Sequence, residues 1–434
     1  MVLHWFRRDL RLEDNASLSR AMSDGSPVQG VFIFDRAILE RLEDHTDARV
    51  TFIYKELERL DQEIKGQGGS GLWVVHGDPL AWHEKWANDP MISALYANRD
   101  YEPYAGKRDT AVHALYQNAG KRSVWSKDHV LMEPHEVLKD DATPYLVFTP
   151  YSRKWKSLFE LTQLDSYSTP EKGWNSVPSP YRWPSLKDLG FEPSPLIAPD
   201  RHIPLETIRQ YAQKRNFPGQ DGGTSKLGVH LRFGTISIRA LARAAKSEHE
   251  TFLNELIWRD FYQMILKYFP ECPNKAIRPA YDKIHWEINE LHFQSWCTGQ
   301  TGYPMVDAGM RELNTTGFMH NRVRMVVASF LTKHLLLDWR WGEAYFASKL
   351  LDFDLASNVG GWQWASGSGC DAAPYFRIFN PESQLDKFDK QLKYVKKWVP
   401  EYGTGSYVPP IVEHKWARER ALQRYKEGLA SVRS

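Results

Sequence analysis

Cysteine is scarce: Cys272, Cys297 and Cys370 stand far apart among 434 residues, with no CxxC pair. That excludes a disulfide-stapled scaffold and a zinc knuckle, argues for no metal site, and fits a reducing compartment. A surplus of one charge is lacking too. Lys+Arg number 56 against 54 Asp+Glu, a formal net charge of +2, which rules out a histone-like polycation but not a local basic groove. No apolar run approaches the ~18 residues of a membrane span. The opening MVLHWFRRDLRL is charged too early to be a signal core. No GxGxxG follows the first apolar run, which argues against a nicotinamide dehydrogenase, and the phosphate loop GxxxxGK[ST] is missing. There is no internal repeat and no low-complexity tract. The length leads us to expect two or three domains, and we expect a cytoplasmic, monomeric protein with no membrane association.

What the sequence has in excess is aromatic. The 17 Trp, 20 Tyr and 20 Phe make up 13% of the chain, and nine of the tryptophans lie after residue 250.

Residues 1–130 alternate short apolar runs (2–6, 29–34, 72–75, 94–97) with helical patterns. In residues 48–65, Phe52, Leu57, Leu60 and Ile64 share one side. This alternation predicts a doubly wound, parallel-sheet, Rossmann-like α/β domain. Arg7, Arg8, Asp9 and Arg11 follow the first strand, at an end where such folds bind ligands; they serve equally well as surface salt bridges. Residues 131–195 lose periodicity under nine prolines, from Pro134 to Pro195, and read as a connector with one short helix over 152–161. From 196 to 434 strand signals vanish. Helical patterns over 251–269, 303–314, 322–337, 341–351 and 383–398 predict an all-α domain.

Three stretches of this second half bear chemistry. Asp221-Gly222-Gly223-Thr224-Ser225-Lys226-Leu227-Gly228 offers glycines and hydroxyls to an anion, although a capped Gly-Gly turn explains it as well. In 254–262, Glu255, Trp258 and Arg259 fall at i, i+3 and i+4, so a carboxylate, an indole and a guanidinium share one helical face. That face either grips a flat polar ligand or holds an internal Glu255–Arg259 ion pair beside a core tryptophan. Finally, Asn321 and Met325 share a face, and Asn358-Val359-Gly360-Gly361-Trp362-Gln363-Trp364 mixes glycines, an amide and two indoles in a way that suits a site better than plain core.

Taken together these segments resemble the photolyase/cryptochrome family of flavoproteins across essentially the whole chain. The matching motifs are Trp5-Phe6-Arg7-Arg8-Asp9-Leu10-Arg11-Leu12 with Asp14-Asn15, Thr224-Ser225-Lys226-Leu227, residues 254–262, 301–307 and 319–325, and residues 352–364 running into Ala372-Ala373-Pro374-Tyr375-Phe376-Arg377-Ile378-Phe379-Asn380-Pro381. Within the family the pattern is most similar to the microbial class I cyclobutane pyrimidine dimer photolyases. The resemblance implies FAD, held by Tyr211, Thr224, Ser225, Lys226 and Leu227 along its phosphates and ribityl chain. Arg324 and Asp352 match an ion pair beside the isoalloxazine, Asp354 a further flavin contact, and Asn358 the residue facing flavin N5. An amide at that position favours the reduced, electron-donating flavin. Glu255, Trp258, Asn321 and Met325 match residues that contact the dimer, and Trp364 an indole lining its pocket. Trp362, Trp339 and Trp286 match an electron-hopping chain to the surface.

Arg215, Arg259, Arg322 and Arg377, joined by Glu255, Asn321 and Trp364, match positions that meet DNA. The implied activity is a carbon–carbon lyase that uses light to repair pyrimidine dimers in DNA, by electron transfer to a flipped-out dimer. Photolyases are among the enzymes that take their target out of the base stack to act on it. His320 is common to the cyclobutane and (6-4) patterns and does not separate them. A blue-light photoreceptor of the same fold is the alternative. It would bind a protein partner through a long C-terminal extension, whereas this chain ends at Ser434, soon after residues 411–415. A light-independent flavin oxidoreductase would need a nicotinamide motif. Two departures stand out: Gly228 replaces a common Ser, and Tyr104 and Ala105 stand where folate-binding relatives carry Asn and Glu. The second argues against a folate antenna; a deazaflavin, a second flavin or an empty antenna site remain open.

Overall fold

Residues apolar on both faces suit a parallel strand with helices on either side, and Val2–Trp5 is such a run, buried throughout. The computed structural model describes residues 1–161, 164–170 and 172–430. In it β1 (Val2–Trp5) lies between β2 (Val28–Asp35) and β4 (Ala94–Asn98), with Val2 opposite Val28 on one side and Ala94 on the other. With β3 (Trp73–Gly77) and β5 (Arg122–Ser126) the parallel sheet runs β3-β2-β1-β4-β5, so the order reverses beside β1. The sequence reading missed β5. Its Arg-Ser-Val-Trp-Ser is partly exposed along an edge and lacks the apolar run of an interior strand.

The chain divides into two compact units. One takes residues 1–133, 158–203 and 227–244; the other takes 134–157, 204–226 and 245–434. Residues 227–244, grouped by the sequence with the helical half, pack in the α/β unit for electrostatic and steric reasons. Arg239 pairs with Asp14 and Asp128, and Arg11 Nη1 donates to the Gly234 carbonyl. Gly234, at φ 63°, lets the chain pass so close to the Arg8 carbonyl that a Cβ there would lie 2.0 Å from its oxygen. The proline-rich stretch is likewise anchored in this unit: Val28 and Trp174 form a bridge, and Tyr167 N–H donates to Asp14 Oδ1.

At the carboxyl ends of β1 and β4 the arginines are paired. Arg7 meets Asp109 at 2.6 Å, Arg8 meets Asp100 and Glu102 at 3.1 Å, and Arg11 meets Asp128 at 2.8 Å. The void left among Arg7, Arg8, Asp9, Asn98, Arg99, Asp100 and His129 is about 10 Å³. The arginines are thus taken up by salt bridges, but buried ones rather than the surface pairs the sequence offered.

The second unit is helical. Its core gathers Met305, Met310, Val323, Val327, Phe330, Leu331, Trp339 and Trp362. Two periodic stretches are broken. The helix starting at Asn321 ends at Ser329 and passes into a π-turn over Phe330–His334. The pattern over 383–398 splits into Pro381–Phe388 and Lys393–Trp398, because Leu392 adopts φ 56° and the Asp389 carboxylate takes the free N–H groups of Tyr394 and Val395. Among the described residues no helix is long and apolar enough to cross a membrane, and the three cysteines are buried and free.

Candidate functional site

Three capped helices build the site. Glu250–Tyr268 starts at His249, whose ring accepts from Thr251 N–H. Asn321–Ser329 starts at His320, which accepts from Arg322 N–H, and Leu355–Ser366 starts at Asp354, which accepts from Ser357 N–H. Each cap fixes where its helix begins, and so which residues turn inward. On the first, Glu255, Trp258, Arg259 and Tyr262 line a cavity at i, i+3, i+4 and i+7; on the second, Asn321, Arg324, Met325 and Ala328 repeat that spacing. Asn358, Gly361, Trp362 and Trp364 of the third complete the walls, with Arg215, Phe346, Leu350, Asp352, Asp354 and Ser357 around them. The cavity holds about 420 Å³, within the usual range for a small-molecule site.

Two glycines make room. A Cβ on Gly360 would lie 2.3 Å from the Tyr262 ring, so this glycine lets the third helix press against the first. A Cβ on Gly361 would meet nothing within 4 Å, which leaves bare backbone against the cavity, a cradle for a flat ring. Gly342 does the same for an indole: a Cβ there would come 2.1 Å from the Trp362 ring, which packs directly on helix Trp339–Lys349.

The polar groups are ordered around this cradle. Arg324 donates through Nη2 to both oxygens of Asp352 at 3.1 Å and through Nε to the Met319 carbonyl at 2.7 Å. Asn358 donates through Nδ2 to the carbonyl and the carboxylate of Glu343 at 3.1 and 2.9 Å. With its donor engaged, the amide has its Oδ1 acceptor left for the cavity. Burial raises the Glu343 carboxyl, opposed by the Asn358 hydrogen bond. Glu255 is ion-paired with Arg215, not with Arg259, so the internal pair expected as an alternative does not form. Burial raises the Glu255 carboxyl too, against the pull of Arg215. Trp258 lies flat on Phe148, ring centres 3.8 Å apart and planes 2° from parallel, and it lines the cavity.

His320 is a buried cap whose titration falls to about 4 through burial and the nearby Arg322, Arg324 and Arg215 charges. A folded-state value below the unfolded ~6.5 means the neutral ring's stability is present above pH ~6.5 and lost as pH falls towards 4. This one residue is worth up to about 3 kcal/mol. His320→Asn, which caps without titrating, should therefore lessen the fall in urea midpoint between pH 6.5 and 4.5. An unchanged pH dependence would contradict the assignment.

The structure thus brings Glu255, Trp258, Asn321, Met325, Asn358, Trp364, Arg324, Asp352, Asp354, Arg215, Arg259 and Trp362 around one cavity. Arg322 sits just beside it, donating to Asn216 at 2.6 Å above the Phe388 ring. Tyr211 lies beneath the Arg215 guanidinium, and Lys226 shares the Phe318 ring with Arg324. None of Tyr211, Thr224, Ser225, Lys226 and Leu227 is among the cavity-lining side chains, and Leu227 is buried in the α/β unit. Trp339 is fully buried, Trp286 is half-buried against Tyr425, and Arg377 is exposed. Sequence reading missed Glu343, Phe148 and Tyr262. Only Tyr262 left a signal, at i+7 from Glu255.

Residues 2–171 match the DNA photolyase family model, and residues 252–405 match the FAD binding domain of DNA photolyase. A deoxyribodipyrimidine photo-lyase of Synechococcus is 37% identical over 99% of this chain and 97% of its own length. The Escherichia coli protein of that name is 35% identical over 98% of each chain. Two solved structures superpose with a TM-score of 0.86 at 33% identity over 98% of this chain. One is a class III photolyase of Agrobacterium tumefaciens, covered over 97% of its length, and the other a Sulfolobus tokodaii photolyase with two FAD molecules, covered over 99%. A Synechocystis cryptochrome shares the fold, with a TM-score of 0.86, 24% identity and 98% of each chain covered. The matched FAD-binding domain takes in the site helices from residue 252 onward, and FAD is the cofactor of this protein.

Proposed function

The chain belongs to the photolyase/cryptochrome family, and on that premise we propose that it repairs cyclobutane pyrimidine dimers in DNA with light. The observation that carries the reading is a single cavity in which Glu255, Trp258, Asn321 and Met325 face Asn358 and the bare backbone of Gly361. The open helix face at Gly361, the Arg324–Asp352 pair and the Asn358 acceptor fit a flat, hydrogen-bonding ring system. Arg324, Asp352, Asp354 and Asn358 would hold the ring end of FAD, and Tyr211, Thr224, Ser225, Lys226 and Leu227 its phosphates and ribityl chain. Bound there and reduced, FAD would supply one electron on excitation and take it back after the cyclobutane bonds open, leaving the net reaction redox-neutral.

The residues do the rest. Asn358 keeps its acceptor towards the ring because Glu343 occupies its donor. The Glu255 carboxylate accepts the imide N–H of the extruded base, and Trp258, backed by Phe148, supplies an apolar plane against which the base packs. Asn321, Met325 and Trp364 close the pocket. Arg215, Arg259, Arg322 and Arg377 take backbone phosphates, which position the duplex without reading its sequence. Trp362, Trp339 and Trp286 would pass electrons from a reductant in solution to an oxidised flavin held here. The protein acts as a monomer in the cytoplasm, associated with the nucleoid.

Trp339→Phe should slow photoreduction of oxidised flavin by tenfold or more while sparing repair by protein already reduced with dithionite; equal loss of both would contradict the hopping role. The substrate class is tested by illuminating the reduced protein with matched oligonucleotides that carry either a cyclobutane dimer or a (6-4) photoproduct. Restoration of the first alone is expected. Restoration of the second alone would overturn the assignment of Asn321 and Met325.

A further inference from the structure

We propose that Tyr262 is a further catalytic residue, whose phenolic O–H donates to a ring carbonyl of the extruded dimer and steadies the negative charge that an added electron puts there; the proposal deepens the repair reading and rests on it. The Glu255 carboxylate can only accept, from an imide N–H. The two fused pyrimidines also present carbonyl oxygens, and these need donors. Several donors around the cavity are already committed: Arg215 to Glu255, Arg324 to Asp352 and the Met319 carbonyl, Asn358 to Glu343. The half-buried Tyr262 lines the same cavity, and its hydroxyl has no hydrogen-bond partner among the described residues.

Its place follows from the helix. Trp258, the plane against which a base would pack, has Glu255 three residues before it and Tyr262 four after, all on one face of Glu250–Tyr268. A base on that indole has a carboxylate to one side and a phenol to the other. The phenol ring is also clamped. A Cβ on Gly360 would lie 2.3 and 2.4 Å from Tyr262 Cδ1 and Cε1, and the Trp258 ring is centred 5.4 Å away at 36°. A donor fixed before the substrate arrives needs no reorganisation when charge develops.

The chemistry suits a phenol. The ring fusion saturates the carbon–carbon double bond of each base, so an added electron enters the carbonyl π system. The two bonds joining the bases then break and the electron leaves, with no proton gained or lost. That sequence calls for a group that hydrogen-bonds and keeps its proton. Burial, with the Asp371 and Glu255 charges nearby, raises the Tyr262 phenol above its ordinary range, so the proton stays on oxygen. A hydrogen bond to a charged acceptor is roughly twice as strong as one to a neutral acceptor. The phenol therefore favours the electron-bearing dimer over the resting one.

The test compares wild-type holoprotein with Tyr262→Phe, which keeps the ring that packs on Gly360 and Trp258. Each is bound to an oligonucleotide whose single thymine dimer carries isotope-labelled carbonyls, and the labelled stretches are recorded in the dark by infrared difference spectroscopy. The variant should hold as much flavin as wild type, and one labelled band should move to higher wavenumber. Dimer affinity should fall about two- to tenfold. Under light, thymine restored per photon absorbed by the bound complex should fall a further ~5-fold or more. That second loss separates a bond used in the reaction from a packing role, which would weaken binding and leave the yield of each bound dimer unchanged. Unmoved bands, or an unchanged yield per bound dimer, overturn the proposal. So does loss of flavin, which would make Tyr262 part of the flavin pocket instead. Wild-type protein that shows the hydrogen-bonded band but restores no thymine in light, with FAD reduced, sinks the repair reading itself.

Discussion

Replacing Gly361 with leucine is expected to yield a folded protein that no longer retains flavin. Position 361 lies inside helix Leu355–Ser366, where leucine is better than glycine by somewhat less than the ~0.8–1 kcal/mol that separates alanine from glycine. Its Cβ would meet no atom within 4 Å. The helix itself loses nothing by the change. The branched side chain projects instead into the 420 Å³ cavity, over the backbone that a planar ring must approach. Flavin absorbance per protein should fall at least roughly tenfold, while the melting temperature measured without flavin stays level or rises. Gly361→Ala, adding one methyl group, should give an intermediate loss. A leucine variant that purifies fully loaded would show that the ring lies elsewhere.

The second large effect belongs to Glu255. Glu255→Ala removes the acceptor proposed for the dimer edge and frees Arg215, whose side chain is partly exposed and can be solvated, so the fold should survive. Losing a hydrogen bond to a charged group costs about 1.5–3 kcal/mol, or roughly 10- to 100-fold in repair yield at limiting substrate. Flavin content should not change. The pH profile gives an independent check. Burial raises the Glu255 carboxyl although Arg215 opposes it, so the accepting carboxylate is lost at a higher pH than an ordinary glutamate would be. Wild-type repair should therefore weaken on mild acidification, and the alanine variant should lack that limb. An alanine variant with wild-type yield at every pH would remove Glu255 from the site.

Much of this could be read in the sequence, and the gaps have physical causes. The interior strands announce themselves because both faces are buried, whereas β5 at the edge, Arg122–Ser126, keeps polar residues that blur the pattern. Periodicity located the helices but missed breaks set by single backbone angles, such as Leu392 at φ 56°. The face shared by Glu255, Trp258 and Arg259 was legible from spacing alone. Its ion pairing was not, since Arg215 lies 40 positions away and local spacing favoured Arg259. Glu343 left no trace, because a carboxylate that orients an amide 15 residues later is recognisable only once two helices are packed. The aromatic excess divides in the same way. Trp258, Trp362 and Trp364 meet at the cavity, whereas Trp86, Trp155 and Trp296 are buried as packing.

The central claim is that light, acting through this cavity, reopens cyclobutane dimers. The most direct measurement uses anaerobic holoprotein reduced with dithionite, an oligonucleotide with one defined thymine dimer, and near-UV or blue illumination beside a dark control. Products are resolved chromatographically. Restored thymines under light and none in the dark are the predicted result; an intact dimer after illumination, with FAD bound and reduced, would contradict it.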